Sequence, residues 1–248
     1  MTAPVAVITG GSRGIGRATA LAAARRGYHV CIGYAANKAA ADEVVGRIVA
    51  SGGQAAAVKC DVGVEADILA LFAAAERLGP LKVLVNNAGV VDATARLEDM
   101  SAARIARIMA VNVTGSLLCA REAVKRMSTK RGGEGGVIVN LSSAAARLGS
   151  PNTYVDYAAS KGAIDTFTLG LAQEVAAEGI RVVAVRPGLI DTEIHASGGD
   201  PERAHRLAKS VPMQRVGTAD EVANAIVWLM SDEASYVTGS ILDVSGGR

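Results

Sequence analysis

The stretch Val5-Ala6-Val7-Ile8-Thr9-Gly10-Gly11-Ser12-Arg13-Gly14-Ile15-Gly16 predicts a strand, a glycine turn and the start of a helix. Glycines let the backbone turn tightly and approach a pyrophosphate, whose charge lies against the unpaired N–H groups of the helix start. The spacing G-x-x-x-G-x-G, without G-K-[ST], favours a dinucleotide over a nucleoside triphosphate. A glycine-rich surface turn is the alternative.

Apolar runs alternate with helical periodicity along the rest of the chain. The predicted strands are Val5 to Ile8, His29 to Tyr34, Ala55 to Lys59, Lys82 to Asn86, Gly136 to Leu141, Arg181 to Arg186 and Ile241 to Val244. The predicted helices include Lys38 to Ser51, Glu65 to Leu78, Ala102 to Met127, Tyr154 to Glu178 and Ala219 to Leu229. Alternation of this kind is typical of α/β proteins with a doubly wound parallel sheet, here of seven strands, and helices on both faces. Ligands bind such sheets beyond the carboxyl ends of the strands. Five motif residues fall there: Gly10, Asp61, Asn86, Ser143 and Pro187.

Composition favours one domain over residues 1–248, because half of the residues are hydrophobic and can fill one large core. A net charge of +2 with 3% aromatic residues argues against nucleic acid as a partner. Neither a cleavable leader nor a charge-free membrane span is evident, so we expect a cytoplasmic protein. The cysteines Cys31, Cys60 and Cys119 stand singly in apolar surroundings, which predicts neither a disulfide framework nor a metal site.

Tyr157-Ala158-Ala159-Ser160-Lys161 places a phenol and an ammonium four positions apart, on one face of a predicted helix. A phenol titrates near pH 10, and an adjacent cation lowers its pKa towards the range of a general acid and base. On its own the pair is a weak signal that favours a tyrosine packed on a lysine stem, because any long helix can carry this spacing.

Together with Asn86-Asn87-Ala88-Gly89, Asn112, Ser142-Ser143 and Pro187-Gly188, these motifs resemble the short-chain dehydrogenase/reductase family. The resemblance runs from Ala6 to Gly247 and implies a Rossmann-type fold and an oxidoreductase that interconverts a carbonyl and an alcohol. Leu148 to Pro151, Tyr154 to Tyr157 and Val237 to Gly239 are similar to a subgroup labelled glucose-dehydrogenase-like or 3-oxoacyl-reductase-like.

The resemblance implies a catalytic set. Tyr157 would be the proton donor and acceptor, Lys161 would lower its pKa and bind the nicotinamide ribose, and Ser143 would steady the substrate oxygen. Asn112 would anchor a water chain from Lys161 to solvent; an Asn bonded to its own helix is the alternative. Ser143 lies fourteen residues before Tyr157, where many relatives have thirteen, so Ser142 is a rival. Tyr154 lacks a stacked cation and is interpreted as a pocket wall.

The resemblance also implies the contacts of a nicotinamide dinucleotide. They are Gly10, Ser12, Arg13, Gly14, Ile15, Gly16, Asn37, Asp61, Val62, Asn86, Ala88, Gly89, Tyr157, Lys161, Pro187, Gly188, Ile190 and Thr192. No acidic residue occurs between Arg26 and Asp42, where an NAD site usually has one, so NADP(H) is favoured. Arg13, with Asn37 or Lys38, could pair with the 2′-phosphate. Ala36 replaces the usual cation after the second strand, so NAD(H) stays open.

Two segments interrupt the alternation. Thr129 to Gly136 is interpreted as a connector, and residues 193–212 as a mobile segment over the substrate. The alternative functions are a 3-oxoacyl-[acyl-carrier-protein] reductase and a non-catalytic NADP-binding regulator. The former needs a basic surface for its carrier, which could comprise Lys125, Arg126, Lys130 and Arg131. The family further implies a homo-oligomer, commonly a tetramer, with the helices containing Met109 to Ala120 and Ala158 to Ala172 at one interface.

Overall fold

Seven strands form one parallel sheet in the computed structural model, which describes residues 3–200 and 202–248. The strands are β1 (Val5–Thr9), β2 (His29–Tyr34), β3 (Ala55–Lys59), β4 (Leu81–Asn86), β5 (Gly136–Leu141), β6 (Ile180–Pro187) and β7 (Ile241–Val244). Their order across the sheet is β3-β2-β1-β4-β5-β6-β7, and every neighbouring pair is parallel. The predicted fold class is confirmed, and the strand ends differ from the predicted ones by one residue or none.

The helices follow the strands on both faces of the sheet. They are α1 (Gly14–Arg25), α2 (Lys38–Ala50), α3 (Glu65–Glu76), α4 (Ala102–Met109), α5 (Gly115–Met127), α6 (Ala145–Leu148), α7 (Val155–Val175), α8 (Ile194–Ser197), α9 (Arg203–Arg206) and α10 (Ala219–Met230). Short 3₁₀ turns lie at Leu97–Asp99, Thr129–Arg131, Ala176–Glu178, Ala208–Ser210 and Asp232–Ala234.

Two apolar layers hold the helices to the sheet. On one face α1, α2 and α10 pack on side chains such as Ile8 and Ile32. On the other face α3, α5 and α7 cover side chains such as Leu84 and Ile138, which are fully buried. Burial of each such side chain contributes about 1.5–3 kcal/mol, which makes the sheet a rigid base for the residues at its edge.

The predicted helix Ala102 to Met127 is interrupted by a π-helical turn at Ala110–Thr114, which separates α4 from α5. Asn112 lies in this turn, and single π turns inside helices are frequent at functional sites. The whole stretch is long and apolar enough to cross a membrane by length and composition, with 28% of the apolar window buried. Here it is a layer of the α/β fold, because α5 packs on β4 and β5 through the buried side chains of Cys119 and Ala123.

A chain of buried amide and hydroxyl groups crosses the sheet into α7. The Asn86 Nδ2 atom donates to Asn140 Oδ1 at 3.0 Å, and the Asn140 Nδ2 atom donates to Thr168 Oγ1 at 3.0 Å. The Thr168 hydroxyl in turn donates to the Ile164 carbonyl at 2.8 Å. The chain therefore joins β4, β5 and α7, the three elements that carry most of the site described next.

Candidate active site

A cleft of about 750 Å³ opens at the carboxyl edge of the sheet, where the chain order reverses between β1 and β4. The predicted residues that line it are Gly10, Ser12, Arg13, Gly14, Ile15, Asn37, Asp61, Val62, Ala88, Gly89, Ser143, Tyr157, Lys161, Pro187, Gly188, Ile190 and Thr192. Only Gly16, Asn86 and Asn112 of the predicted set lie behind this lining. Loops that follow six strands, β1 to β6, thus bring the predicted residues to one place.

The glycine turn after β1 has the shape of a phosphate cradle. Gly10 has a φ of +64°, which favours glycine, and a Cβ at Gly16 would lie 2.3 Å from the Gly10 carbonyl oxygen. Gly16 is thus needed for packing of α1 on the turn rather than for ligand contact. No side chain caps the start of α1 and no acid lies in its first turn, so its N–H groups suit a pyrophosphate.

The side chains of Asn86 and Asn87 have different roles, although only Asn86 is among the predicted cofactor contacts. The Asn86 side chain is buried and donates to Asn140 and to the Ser116 carbonyl, because residues alternate in direction along β4. The Asn87 side chain instead lines the cleft and donates to the Thr9 and Gly10 carbonyls at 2.8 and 3.0 Å. The Asn86 side chain therefore ties the sheet together and Asn87 shapes the cleft, while the predicted cofactor contact of Asn86 stays a prediction.

The phenol of Tyr157 and the hydroxyl of Ser143 both line the cleft wall and are close enough to interact. Ser143 follows β5 and its Oγ atom also accepts from the Ala145 amide at 3.1 Å, which orients it. The Lys161 ammonium lies 5.7 Å from the centre of the Tyr157 ring and donates to the Leu141 carbonyl at 2.6 Å. Three functional groups from β5 and α7 therefore meet within one patch of the cleft.

Burial raises the pKa of Tyr157 above its ordinary value, while the nearby Ser143 hydroxyl opposes the rise. Tyr157 is thus arranged to hold its proton at neutral pH. The Lys161 ammonium donates to the Leu141 carbonyl, and burial lowers the pKa of Lys161 itself to about 8. The lowering of the Tyr157 pKa by Lys161 stays a prediction.

Asn112 lies next to the lysine, completely buried in the π turn. Its Oδ1 atom accepts from the Val90 amide at 2.8 Å, and its Nδ2 atom donates to the Val90 carbonyl and to Ser160 Oγ. A Cβ at Gly89 would lie 3.5 Å from both Asn112 Oδ1 and Lys161 Nζ. Asn112 therefore fixes the backbone that passes beside Lys161, and the predicted water chain remains a prediction.

The far end of the cleft lies beyond β2 and β3. Arg13, Arg17, Ala36 and Asn37 line it, while Lys38 points away and pairs with Asp42 at 2.7 Å. Asn37 caps α2, since its Oδ1 atom accepts from the Ala40 amide at 3.0 Å. Asp61 is exposed and accepts from the Gly63 amide within its own loop at 2.9 Å.

The segment over the cleft contains short helices rather than a structureless loop. Helices α8, α9 and a 3₁₀ turn lie within residues 193–212, of which Pro201 lies outside the described residues. Thr192, just before the segment, lies over the glycine turn, 3.3 Å from a Cβ placed at Gly14. The segment is thus joined to both ends of the cleft.

The structure gives Ser142 and Tyr154, the alternatives to Ser143 and Tyr157, different surroundings from those two residues. The buried Ser142 hydroxyl donates to the Lys161 carbonyl at 3.2 Å, which makes it a strut under α7. Tyr154 lies in the cleft wall and accepts from the Thr94 hydroxyl. The predicted carrier surface is largely neutralised: Lys125 and Arg126 pair with Glu122, and Lys130 pairs with Glu178.

Four arginines in the lining were missed: Arg17, Arg107 and two from the last quarter of the chain. Arg203 of α9 and Arg248 line the cleft beside Tyr154 and Leu148. No periodicity or motif marks them, because they reach the cleft only after the covering segment and the last residues fold back over the sheet edge. Only an interpretation of the covering segment as pocket wall could have drawn attention to Arg203.

Comparisons with known proteins agree with this geometry. The chain matches, over residues 10–248, a family model described as Enoyl-(Acyl carrier protein) reductase. It is 57% identical to the uncharacterized oxidoreductase YgfF of Escherichia coli, over 98% of this chain and 99% of that protein. It is 39% identical to glucose 1-dehydrogenase 2 of Bacillus subtilis (100% and 95%) and 37% identical to a 3-oxoacyl-[acyl-carrier-protein] reductase of Synechocystis (100% and 97%).

Solved structures show the same fold. A dehydrogenase/reductase from Sinorhizobium meliloti superposes with a TM-score of 0.91 at 31% identity, over 100% of this chain and 95% of that one. A short-chain dehydrogenase from Burkholderia cenocepacia, solved in complex with NADP, superposes with a TM-score of 0.90 at 33% identity, over 98% and 97%.

Proposed function

The chain belongs to the short-chain dehydrogenase/reductase family of NAD(P)-dependent oxidoreductases, and from this we propose that Tyr157, Ser143, Lys161 and Asn112 interconvert a carbonyl and an alcohol on a small-molecule substrate. The observation that carries the proposal is that the Tyr157 phenol and the Ser143 hydroxyl meet on the cleft wall, with the Lys161 ammonium 5.7 Å from the centre of the Tyr157 ring. Two hydroxyl groups aimed at one point can together hold a substrate oxygen.

The bound cofactor supplies or accepts the hydride. Tyr157 moves the matching proton: in reduction its phenol donates to the substrate oxygen as the carbonyl carbon gains the hydride. Ser143 donates to the same oxygen and stabilises the developing charge. Because burial raises the pKa of Tyr157, the phenol is protonated at neutral pH, which is the state that reduction requires. Tyr157 is therefore in the protonation state from which reduction starts at neutral pH, whereas oxidation requires its phenolate.

Lys161 and Asn112 support this chemistry. Lys161 carries its charge below pH 8, since burial lowers its pKa to about 8, and would hydrogen-bond the nicotinamide ribose. Asn112 holds the Val90 backbone next to it. A positive Lys161, 5.7 Å from the centre of the Tyr157 ring, would stabilise the phenolate that forms when Tyr157 gives its proton to the substrate oxygen, which lowers the cost of that proton transfer.

We further infer a preference for NADP(H). Arg13 lines the cleft at the end where β2 stops, and the loop Ala35 to Asn37 between β2 and α2 holds no carboxylate that would repel a 2′-phosphate. Use of NADP by a relative of the same fold agrees with this preference.

The test is Tyr157→Phe, with NADPH absorbance followed over a panel of sugars, polyols, diketones and 3-oxoacyl thioesters. We expect kcat to fall about 10²–10⁴-fold, the usual contribution of a general acid. Tyr154→Phe is the matched control, because it removes a phenol from the same wall and should leave the rate within a few-fold. Full turnover by Tyr157→Phe would contradict the proposal. Tight NADPH binding without turnover of any carbonyl would favour the non-catalytic regulator.

Two finer properties complete the proposal. We infer a homo-oligomer, because Met109 and Leu117 of the Ala102–Met127 stretch and Leu169 of α7 are apolar and more than a third exposed on the single chain. Light scattering measures the molar mass of the purified protein and of the Leu169→Arg variant, and the comparison tests whether the chain forms an oligomer through this surface. A cytoplasmic location agrees with the buried free thiols of Cys31, Cys60 and Cys119.

A further inference from the structure

Arg203 and Arg248 lie at the catalytic end of the cleft. The Arg203 guanidinium stacks on the Tyr154 ring, with its Cζ atom 5.0 Å from the ring centre, and Tyr154 directly precedes helix α7 of Tyr157. The Arg248 backbone carbonyl accepts from Arg147 at 2.9 Å, and Arg147 belongs to helix α6 that follows Ser143. Both arginines are therefore tied to the elements that present the proposed catalytic hydroxyls.

Within the described residues, neither guanidinium has a carboxylate partner. The Arg248 Nη1 atom is buried without a hydrogen-bond partner. Nearby acids are used elsewhere: Asp243 pairs with Arg147 at 3.4 Å and lies 4.0 Å from Arg186, and Asp200 pairs with Arg206. The cleft also contains Glu193, but its carboxylate lies over the glycine turn, 3.5 Å from a Cβ placed at Gly14.

The two cations also repel each other. Burial and the charge of Arg203 both lower the pKa of Arg248, so the guanidiniums are close enough to interact. Arg248 as a residue is only partly buried, but its Nη1 atom is buried without a partner and lies near a like charge, an unfavourable arrangement that an anion would stabilise. The planar fork of an arginine matches the oxygens of a carboxylate or a phosphate. An anion between the two guanidiniums would relieve both costs.

We propose that Arg203 and Arg248 bind an anionic group, a carboxylate or a phosphate, carried by the substrate whose carbonyl or alcohol reacts at Tyr157. The inference rests on the proposed function for the identity of the reacting group, but not for the anion site itself. It narrows the substrate to keto or hydroxy acids and phosphorylated ketones or alcohols.

Binding is tested first, because it needs no turnover. Isothermal titration on protein saturated with NADP⁺ uses cyclohexanecarboxylate with cyclohexanecarboxamide, and glycerol 3-phosphate with glycerol, as charged and neutral pairs. We expect one of the two anions to bind at least tenfold more tightly than its neutral partner, and the phosphate and carboxylate pairs to show which group is preferred. Arg203→Gln and Arg248→Gln should each weaken that binding about 10- to 100-fold. Arg248→Lys, which keeps the charge but loses the fork, should restore part of it.

Arg206→Gln is the matched control, since Arg206 lies three residues from Arg203 but faces Asp200. It should leave anion binding unchanged. Equal binding of charged and neutral partners, or an equal loss in Arg206→Gln, would overturn the proposal.

Turnover is then compared between keto acids with two to six atoms separating the two groups and their methyl esters. The variants should raise KM for the acids and leave the esters unaffected. Anion binding that depends on the two arginines, combined with no turnover of any compound, would retain the anion site and reject the proposed reaction.

Discussion

The Arg104 guanidinium holds the Asp156 carboxylate through two hydrogen bonds, of 2.8 and 3.2 Å, one residue before Tyr157. The two side chains are only 10% and 3% exposed. Arg104 also donates to the Ala93 carbonyl at 2.6 Å, and Asp156 Oδ1 accepts from the Tyr157 amide at 2.9 Å. The pair thus joins α4, the loop after β4 and the first turn of α7.

Removal of one partner from this ion pair should destabilise the protein and disturb the tyrosine together. We expect Arg104→Met to lower the free energy of unfolding by about 3–5 kcal/mol, because it leaves the Asp156 carboxylate buried without its cation. Chemical denaturation measures this loss. Arg104→Met/Asp156→Leu should regain most of the stability, because no unpaired charge remains.

The exposed pair of Arg96 and Glu98 is the control, since both side chains are more than half exposed. Arg96→Met should change the free energy of unfolding by less than about 0.5 kcal/mol. If Arg104→Met also changed the free energy of unfolding by less than about 0.5 kcal/mol, the buried pair would not be needed for stability.

The neighbouring serines should separate by function. Ser143→Ala is expected to lower kcat/KM about 10²–10³-fold with little change in unfolding, because its hydroxyl faces the substrate. Ser142→Ala removes a buried bond to the Lys161 carbonyl, so it should cost about 0.5–1.5 kcal/mol of stability and leave the rate within a few-fold. Steady-state kinetics and denaturation of both variants check the pattern, and the reverse pattern would make Ser142 the substrate-binding serine.

Lys161 should be required for activity, although the burial of its charge lowers the free energy of unfolding. Its pKa is lowered from 10.5 to about 8, a separation that corresponds to about 3 kcal/mol at 1.36 kcal/mol per pKa unit. The unfolded chain binds more protons than the native protein between these values, so this cost is full below pH 8 and declines as the pH rises towards 10.5. Lys161→Met should therefore be inactive yet more stable at pH 7, with an advantage that shrinks by pH 9.5.

The difference in unfolding free energy between variant and wild type isolates this effect from other titrating groups, which both proteins share. A difference that stays constant between pH 7 and 9.5 would mean that the Lys161 ammonium is not destabilised by burial.

An acid at position 37 should reverse the preference between cofactors. Asn37→Asp keeps the cap of α2, because an aspartate accepts the same bond from Ala40, but it places a negative charge where a 2′-phosphate would lie. We expect KM for NADPH to rise about tenfold or more while KM for NADH is unchanged or lower. Lys38→Met is the control, since Lys38 is exposed and pairs with Asp42. Equal effects on both cofactors would place the phosphate elsewhere.

Much of this architecture could be predicted because it depends on local signals. Strand and helix positions follow from apolar periodicity, and the meeting of Gly10, Ser143 and Tyr157 follows from the shared edge of parallel strands. The sequence could not show which of Asn86 and Asn87 faces the cleft. Side chains along a strand point to opposite faces in turn, so a shift of one residue exchanges the core position for the cleft position. The π turn at Asn112 has no periodic signature within a long helix.

Two further features could not be predicted from the sequence. They are the protonation states of Tyr157 and Lys161 and the position of Arg203 and Arg248 in the cleft. Whether Lys161 lowers the pKa of Tyr157 depends on where its ammonium points, and the Leu141 carbonyl competes for it. Arg203 and Arg248 come together only through contacts between distant parts of the chain.

The buried chain from Asn86 through Asn140 to Thr168 has a consequence for how this sheet is aligned. Val83 and Val85 on β4 lie beside Val137 and Val139 on β5, so a slip of two residues would still pair valine with valine. Such a slip would separate Asn86 from Asn140, at a cost of about 1–3 kcal/mol for each amide left unpaired. The paired amides thus fix the register between the two strands, and with it the relative positions of Asn87 and Ser143, which follow these strands into the cleft.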